Sequence, residues 1–468
     1  MIPVNDLFTI LPALVLSIFG CALLLMRLDE SKLNVGFVVA GEVLAAISLW
    51  RQSGYLGLQG FFGSVALDQF GIYLNAVCLA GALLAALGSY LYLEREEVAS
   101  AEFYALLLFA QAGMYLVISG VELMTVFIGL ETTALSFYVL TGYLRSKPTA
   151  NEAALKYLLL GAFSSGLMLY GFSILYGLSG STRFANIAAA VMQRDASDPL
   201  ILLAVVPIVM GLLFKVAAAP LHMWAPDAYE GAPTPISAYL ATASKAASFA
   251  LLLRLLAGPL AQFRSAWEAI VLVAAIASLT IGNFGALTQQ SVKRMLAYSS
   301  VAHAGYMLLG VVAGNQAGLE GVLFYLLVYT FMTSGAFLVL AALPSDDISS
   351  FRGLLYRSPI LAGLMLILLV SLAGLPPTAG FMPKYQIFLS LIQTRNYWLA
   401  VVAALYVAIA LYYYFRITRE MILESEREAV EIPMSTGWRA AVGTAAILSL
   451  GLGLNPQPAF EWARNALR

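Results

Sequence analysis

The chain has 468 residues, 61% of them hydrophobic and only 11% charged, with 25 basic and 26 acidic side chains. A soluble globular domain carries about 25% charged residues, so this composition excludes a string of soluble domains and points to a membrane protein. A net charge of −1 excludes a basic nucleic-acid surface, and two cysteines in apolar runs, Cys21 and Cys78, make no disulfide framework or cysteine-rich cluster.

The N-terminus, MIPVNDLFTILPALVLSIFGCALLLM, has no positive start, carries Asp6, and has too long an apolar run for a signal peptide. It reads as a first transmembrane helix near 7–26. Apolar stretches long enough to span a bilayer, at about 20 residues each, follow near 34–50, 70–93, 103–119, 121–143, 152–178, 199–222, 234–257, 266–285, 293–313, 319–343, 359–390, 397–420 and 437–454. The expected fold is therefore an all-α polytopic membrane protein of about fourteen helices in a single integral membrane domain. The longest connections, 179–198 and 421–436, are polar and have room for short surface helices.

Lys and Arg alternate unevenly between the two sets of loops. One set holds Arg27, Lys32, Arg95, Arg145, Lys147, Lys293, Arg294, Arg352, Arg357, Arg416, Arg419, Arg427 and Arg439. The other holds Arg51, Arg183, Arg194, Arg264, Arg395, Arg464 and Arg468. The richer set is expected to face the cytoplasm, with both termini on the opposite, periplasmic side.

Two spans are interrupted. The seventh carries Pro207, and then Pro220 after Lys215. The twelfth reads LVSLAGLPPTAGFMPKYQIF, with Pro376, Pro377, Gly380 and Pro383 before Lys384. Proline removes a helix hydrogen bond and clashes with the preceding turn. Freed backbone groups persist in a membrane only where protein or a wet cavity satisfies them, and paired breaks mark ion pathways in transporters. The breaks fall five helices apart, and an odd-numbered unit returns upside down. Helices 4–8 (103–257) and 9–13 (266–420) are thus expected to be inverted five-helix repeats, preceded by three helices over 1–95 and followed by one at 437–454.

A charged side chain at mid-membrane costs about 2.5–3.5 kcal/mol on insertion scales, and residues kept at that cost face the bundle interior on proton or ion paths. Glu131, Lys215, Lys245 and Lys384 qualify. Burial disfavours an ammonium and a nearby carboxylate favours it, so a conformational change at such a pair can load and release a proton. One glutamate cannot neutralise three lysines, which argues against a purely packing role. Thr242, Lys245 and Ser248 share one helix face. Ser299, His303 and Tyr306 share another, and so do Tyr325, Tyr329 and Thr333. These polar stripes suit a water wire between Lys245 and Lys384, or helix–helix hydrogen bonding. His222 and His303 are relay candidates, or hydrogen-bonded core residues. Lys156 lies near a helix end, to snorkel or to feed protons inward. Glu42 lies mid-span with no partner evident. No phosphate loop, dinucleotide fingerprint, or zinc or iron–sulfur spacing is present, so no redox centre or metal site is expected in the chain.

Five stretches carry a resemblance: GLETTALSFYVLTGY, ALKYLLLGAFSSGLMLYGFSILYGLSG, FKVAAAPLHMWAPDAYEGAPTPISAYLATASKAASF, VKRMLAYSSVAHAGYMLLG and LAGLPPTAGFMPKYQIF. Over roughly residues 65–420 the chain resembles the antiporter-like subunits of NADH–quinone oxidoreductase, respiratory complex I, and among them the subunit N family. Lys384 and the lack of a long lateral helix favour subunit N over its M-like and L-like relatives.

The resemblance implies a proton-translocating subunit of a translocase. Glu131 would pair with Lys215, Lys245 would be the central lysine and Lys384 the twelfth-helix lysine, with His222, His303 and Lys156 in lesser roles. It implies FMN, iron–sulfur clusters and quinone in partner subunits, other membrane-arm subunits as neighbours, and a bacterial inner membrane. The alternatives are a subunit of a multisubunit sodium/proton antiporter, a related hydrogenase or photosynthetic complex I, or a structural spacer of the membrane arm.

Overall fold

The computed structural model describes residues 4–26, 31–192, 194–423 and 434–468. Arg27, Arg427 and most of the 421–436 connection lie outside the described residues. The described chain is almost wholly helical. After a short helix at Val4–Thr9 come α1 (Leu11–Met26), α2 (Ser31–Gln52), a two-residue hairpin of β1 (Gln59–Gly60) and β2 (Val65–Ala66), α3 (Gln69–Arg95), α4 (Ala101–Ser119), α5 (Leu123–Thr141) and α6 (Pro148–Ser179). The surface helix expected in 179–198 is α7 (Phe184–Val191). The seventh apolar segment is divided into α8 (Pro199–Lys215) and α9 (Trp224–Gly231), and the eighth, α10, runs Thr234–Leu256.

Next come α11 (Arg264–Leu287), α12 (Val292–Ala313) and α13 (Gln316–Ala341). The twelfth apolar segment is again divided, into α14 (Pro359–Ala373) and α15 (Phe381–Gln393), before α16 (Tyr397–Ile422), α17 (Thr436–Leu454) and α18 (Gln457–Ala466). Among the described residues eleven helices are long and apolar enough to cross a membrane, and α1, α8 and α14 are shorter apolar helices. Neither the hairpin nor α18 is expected from hydropathy. The hairpin is too short to alternate visibly, and α18 is amphipathic rather than apolar.

Burial orders these helices. α10, α12 and α13 form the centre, whereas α2, α6, α16 and α17 present broad apolar faces outward, as helices in contact with lipid do. Local chemistry sets the ends. Asp68 accepts the Gly71 N–H at the start of α3, Ser291 accepts from Arg294 at the start of α12, and Asn315 from Gly318 at the start of α13, each satisfying an orphan donor. Arg254 near the end of α10 grips Asp68 with two parallel bonds of 2.8 Å. At the same end of the bundle, α18 is clamped by Arg464 to Glu320 at 3.1 Å and by Phe460 stacked on Phe324.

The two breaks are built alike. α8 ends at Lys215, and Ala217 then takes a positive φ of 57°. α14 ends at Ala373, and Gly374 then takes a positive φ of 83°. In each break a serine hydroxyl takes up a freed backbone donor: Ser278 accepts from Ala219 N–H at 2.8 Å, and Ser371 from Gly380 N–H at 3.1 Å. The Trp224 indole N–H donates to the Phe214 carbonyl, satisfying one of the last acceptors of α8.

Candidate functional site

Lys384 reaches back across its break. Its ammonium donates to the carbonyls of Leu372 at 3.1 Å and Ala373 at 2.9 Å, the last acceptors of α14. A helix C-terminus carries a partial negative charge, so the broken helix itself is the counter-charge. Only glycine at position 374 leaves room, since a Cβ there would lie 2.8 Å from Lys384 Cδ and 2.9 Å from Nζ. The Lys384 ammonium also lies 5.1 Å from the Tyr306 ring centroid, within cation–π range.

Lys215 occupies the corresponding place as the last residue of α8, at the carbonyl end of that half-helix. Its ammonium donates to the Ser165 hydroxyl at 3.3 Å. Beside it is a 20 Å³ cavity lined by Thr133, Tyr157, Ser244 and Ser248 as well as Lys215, room for about one water molecule. The resemblance led us to expect Glu131 as its partner. The two form no direct ion pair, and one Glu131 carboxylate oxygen is buried without a protein hydrogen bond.

Lys245, only 2% exposed, donates to the Ser300 carbonyl at 2.6 Å and hydroxyl at 2.5 Å. Its ammonium is 5.6 Å from the Tyr329 ring centroid. Immediately before it α10 widens into a π-turn, Leu240–Ser244, a distortion that often marks functional positions. The π-turn changes the register of Thr242 against Lys245 and Ser248, which follow it three apart in regular helix. Thr242 bonds the Ala238 carbonyl and meets Ser334 on α13 at 3.4 Å.

Between Lys245 and Lys384 lies His303 on α12. Nδ1 is 2.6 Å from the Tyr325 hydroxyl and Nε2 is 3.1 Å from the Tyr414 hydroxyl, which also bonds Ser299. The His303 ring centroid is 5.0 Å from that of Tyr329. The result is a column of buried polar groups running from Lys245 through Ser300, Tyr329 and His303 towards Tyr306 and Lys384. Ser300 and Tyr414 were missed from sequence. Ser300 is adjacent to a stripe already recognised, and Tyr414 is one tyrosine of a YYY run that hydropathy does not resolve.

The remaining candidates lie elsewhere. His222 is in the connection between α8 and α9, because the helix stops seven residues earlier and the face it would share with Lys215 does not exist. It is buried, with Nδ1 unpartnered and its ring 6.4 Å from that of Tyr298. Lys156 is half-exposed and ion-paired with Glu152 at 2.7 Å and Asp227 at 2.9 Å. Asp227 in turn pairs with Arg294, and Arg294 with Glu230. This network lines a 460 Å³ charged vestibule, with Lys293, Arg95 and Asp346, at the basic-loop end of the bundle. Glu42 is enclosed, both its oxygens lacking a protein partner. Among the described residues no group of acidic, histidine or cysteine side chains is arranged to hold a metal ion.

A family model described as NADH:quinone oxidoreductase/Mrp antiporter, TM, matches residues 120–410, a stretch containing every residue of the column but not Tyr414 beside it. The chain is 50% identical over 481 aligned positions to NADH-quinone oxidoreductase subunit N 2 of Solibacter usitatus, covering 99% of this chain and 98% of that one. Among solved structures it is similar to a chain of respiratory complex I from Thermus thermophilus with bound aureothin, at TM-score 0.82 and 34% identity, covering 96% and 98% of the two chains. It shares its fold, at TM-score 0.84 but only 20% identity, with a chain of the Mrp complex from Dietzia sp., covering 99% and 97%. The sequence motifs, the two broken helices with their buried lysines and these similarities agree: the chain belongs to the NADH-quinone oxidoreductase subunit N family of multi-pass, antiporter-like membrane proteins.

Proposed function

We propose that this chain is a proton-translocating membrane-arm subunit of NADH:quinone oxidoreductase, and that Glu131, Lys215, Lys245 and Lys384 carry the proton, with His303 between the last two. The observation that carries this reading is how the three lysines are held. Among the described residues none has a carboxylate within ion-pair distance; each ammonium is held by hydroxyls, carbonyls or a half-helix terminus. Lysines held this way retain neutral partners when they lose a proton, which a lysine locked in a salt bridge does not.

The reading extends to what the chain works with. Electron transfer through FMN and iron–sulfur clusters to quinone belongs to partner subunits, and neighbouring antiporter-like and small membrane subunits flank this one in a bacterial inner membrane. Fourteen crossings follow if α8–α9 and α14–α15 each count as one, with both termini periplasmic. The domains are then three leading helices over 1–95, inverted repeats over 103–257 and 266–420, and a last helix at 437–454. The matched construction of the two breaks supports the repeat. His222 and Lys156 take peripheral places, Lys156 at the charged vestibule where protons arrive from the basic-loop side. A sodium/proton antiporter subunit is the second reading, supported by the shared fold and opposed by the far higher identity to subunit N.

The test is Lys245→Ala and Lys245→Arg in the complete complex reconstituted in vesicles. Arginine stays charged at all working pH, so a relay requires both variants to lose proton pumping while the complex remains assembled. Pumping retained by Lys245→Arg would mean that a fixed charge suffices and the relay is wrong.

A further inference from the structure

Where α5 passes into α6, at the basic-loop end of the bundle, the surface holds a 340 Å³ cavity. Tyr138 and Val139 line it from α5, Asn151 and Ala154 line it from α6, and Arg145 lines it from the connection. Tyr138 is only 7% exposed, and its hydroxyl packs over Gly161 of α6 with no protein partner. The Asn151 amide donates to the Arg145 carbonyl at 3.0 Å, which ties the connection to the first turn of α6. The Tyr143 hydroxyl donates to the Ala99 carbonyl at 2.8 Å and holds the other end of the connection. The walls are therefore fixed by the fold itself.

Charge and polarity are divided across this cavity. Nearby Lys147 is paired with Glu96 at 2.6 Å, and Lys156 with Glu152 and Asp227. Arg145 is exposed, and among the described residues no carboxylate pairs with it. α6 starts at Pro148 with no side-chain cap, so the positive end of a 32-residue helix adds to the Arg145 charge. Farther along the two helices the surface is apolar: Leu135 is 56% exposed, Val139 50% and Leu155 56%. Ala154 lies about 9 Å along α6 from Pro148, at 1.5 Å per residue. The interfacial layer of a bilayer is roughly 5–8 Å thick on each side, so the cavity spans the passage from headgroups to hydrocarbon.

We infer that this cavity binds one anionic glycerophospholipid, its phosphate on Arg145 and the first turn of α6, its glycerol against Tyr138, and its acyl chains over Val139, Leu135 and Leu155. Charge complementarity selects the occupant. A soluble anion would meet the guanidinium but leave the apolar wall uncovered. A hydrocarbon chain alone would cover the wall and leave Arg145 without a counter-charge. A zwitterionic lipid brings its own ammonium to compete for the phosphate. One unpaired arginine suits one phosphate, and the exposed apolar band suits the chains below it. The lipid would bridge α5, which contains Glu131, and α6, which contains Ser165, the acceptor of Lys215. The inference needs only the membrane setting and stands whether or not those residues relay protons.

The test places the complete complex in phosphatidylcholine vesicles with a trace of phosphatidylglycerol that carries a photoreactive group near its glycerol. After irradiation the labelled peptides of this chain are identified by mass spectrometry. Expected is label within residues 138–155 that excess unlabelled phosphatidylglycerol displaces and inorganic phosphate does not. Arg145→Gln should cut this label about fivefold, the weight of one basic side chain at an anionic membrane surface. Val139→Trp should also cut it, by filling the groove with the charge kept. Arg352→Gln, at another exposed arginine of the basic-loop side, should leave it unchanged. Full label in Arg145→Gln overturns the site, as does equal label from a phosphatidylcholine probe. Displacement by inorganic phosphate would show a soluble-anion site instead and overturns it too. So does label no denser than on the outward face of α16, the result if a neighbouring subunit covers this surface. Should Arg145→Gln not assemble, Val139→Trp decides alone.

Discussion

Replacing Gly374 by alanine probes the junction between backbone and proton site with one methyl group. The position has φ 83°, which for a residue with a Cβ costs roughly 1–2 kcal/mol. The added carbon would lie 2.9 Å from Lys384 Nζ, closer than non-bonded atoms tolerate, so the lysine must withdraw from the Leu372 and Ala373 carbonyls. Hydrogen bonds involving a charged group contribute about 1.5–3 kcal/mol each, so loss of even one of the two disfavours the capped arrangement by at least about tenfold. The assay is proton uptake into vesicles followed with a pH-sensitive dye, alongside NADH:quinone turnover and the amount of assembled complex. Gly374→Ala should assemble yet lose most of its pumping. Gly363→Ala is the control: it lies in the same half-helix, and nothing stands within 4 Å of its added carbon. Normal pumping by Gly374→Ala would mean that Lys384 is not held by the end of α14 when it works.

Lys215→Ala should abolish coupled proton transfer with the complex intact, and an unchanged proton yield would favour a spacer role. Ser300→Ala removes one of the two acceptors of Lys245 and leaves the carbonyl, so turnover should fall less than in Lys245→Ala, by about tenfold for roughly 1.5 kcal/mol. Arg464→Ala strips Glu320 of its cation at 3.1 Å. The C-terminal helix should then loosen by about 1.5–3 kcal/mol, seen as faster proteolysis after residue 455 than in wild type. Glu122 caps α5 from outside the membrane. Burial pushes its carboxyl up, but hydrogen bonds from Thr182 and Thr125 outweigh this and hold it below the usual carboxylate range. A depressed folded value means the cap stabilises above the unfolded value of about 4.3 and is lost as pH falls through the folded one. Protection of the amides at the start of α5, measured relative to the intrinsic exchange rate at each pH, should fall on acidification, and Glu122→Gln should remove that fall.

The apolar runs and the prolines foretold most of the helices because each is a strong local signal: a span must be long, and Pro220 or Pro376 cannot continue one. Lys215, Lys245 and Lys384 stood out for a related reason, since a cation in a greasy run is expensive wherever the chain folds. What sequence did not tell was which partner each would choose. Lys245 binds Ser300 on a helix some fifty residues away, and that pairing depends on the crossing of α10 and α12. The π-turn before Lys245 has no composition of its own, so the register of Thr242 against Lys245 was not legible. Glu131 and Lys215 were expected to touch because their family motif suggests it, and the single-water cavity at Lys215 is a feature only packing can create. His222 lies past the end of α8, where Pro220 already argued against a continuous helix.

The charged vestibule has a mechanical corollary. Asp227 and Glu230, both on α9, are tied to Lys156 on α6 and Arg294 on α12. Three elements are thereby riveted together at one rim of the bundle, and α9 has little freedom to tilt alone. Any displacement arriving from a neighbouring subunit and directed at the seventh segment must then be absorbed by the stretch 216–223, next to Lys215, and not spread along the whole rod.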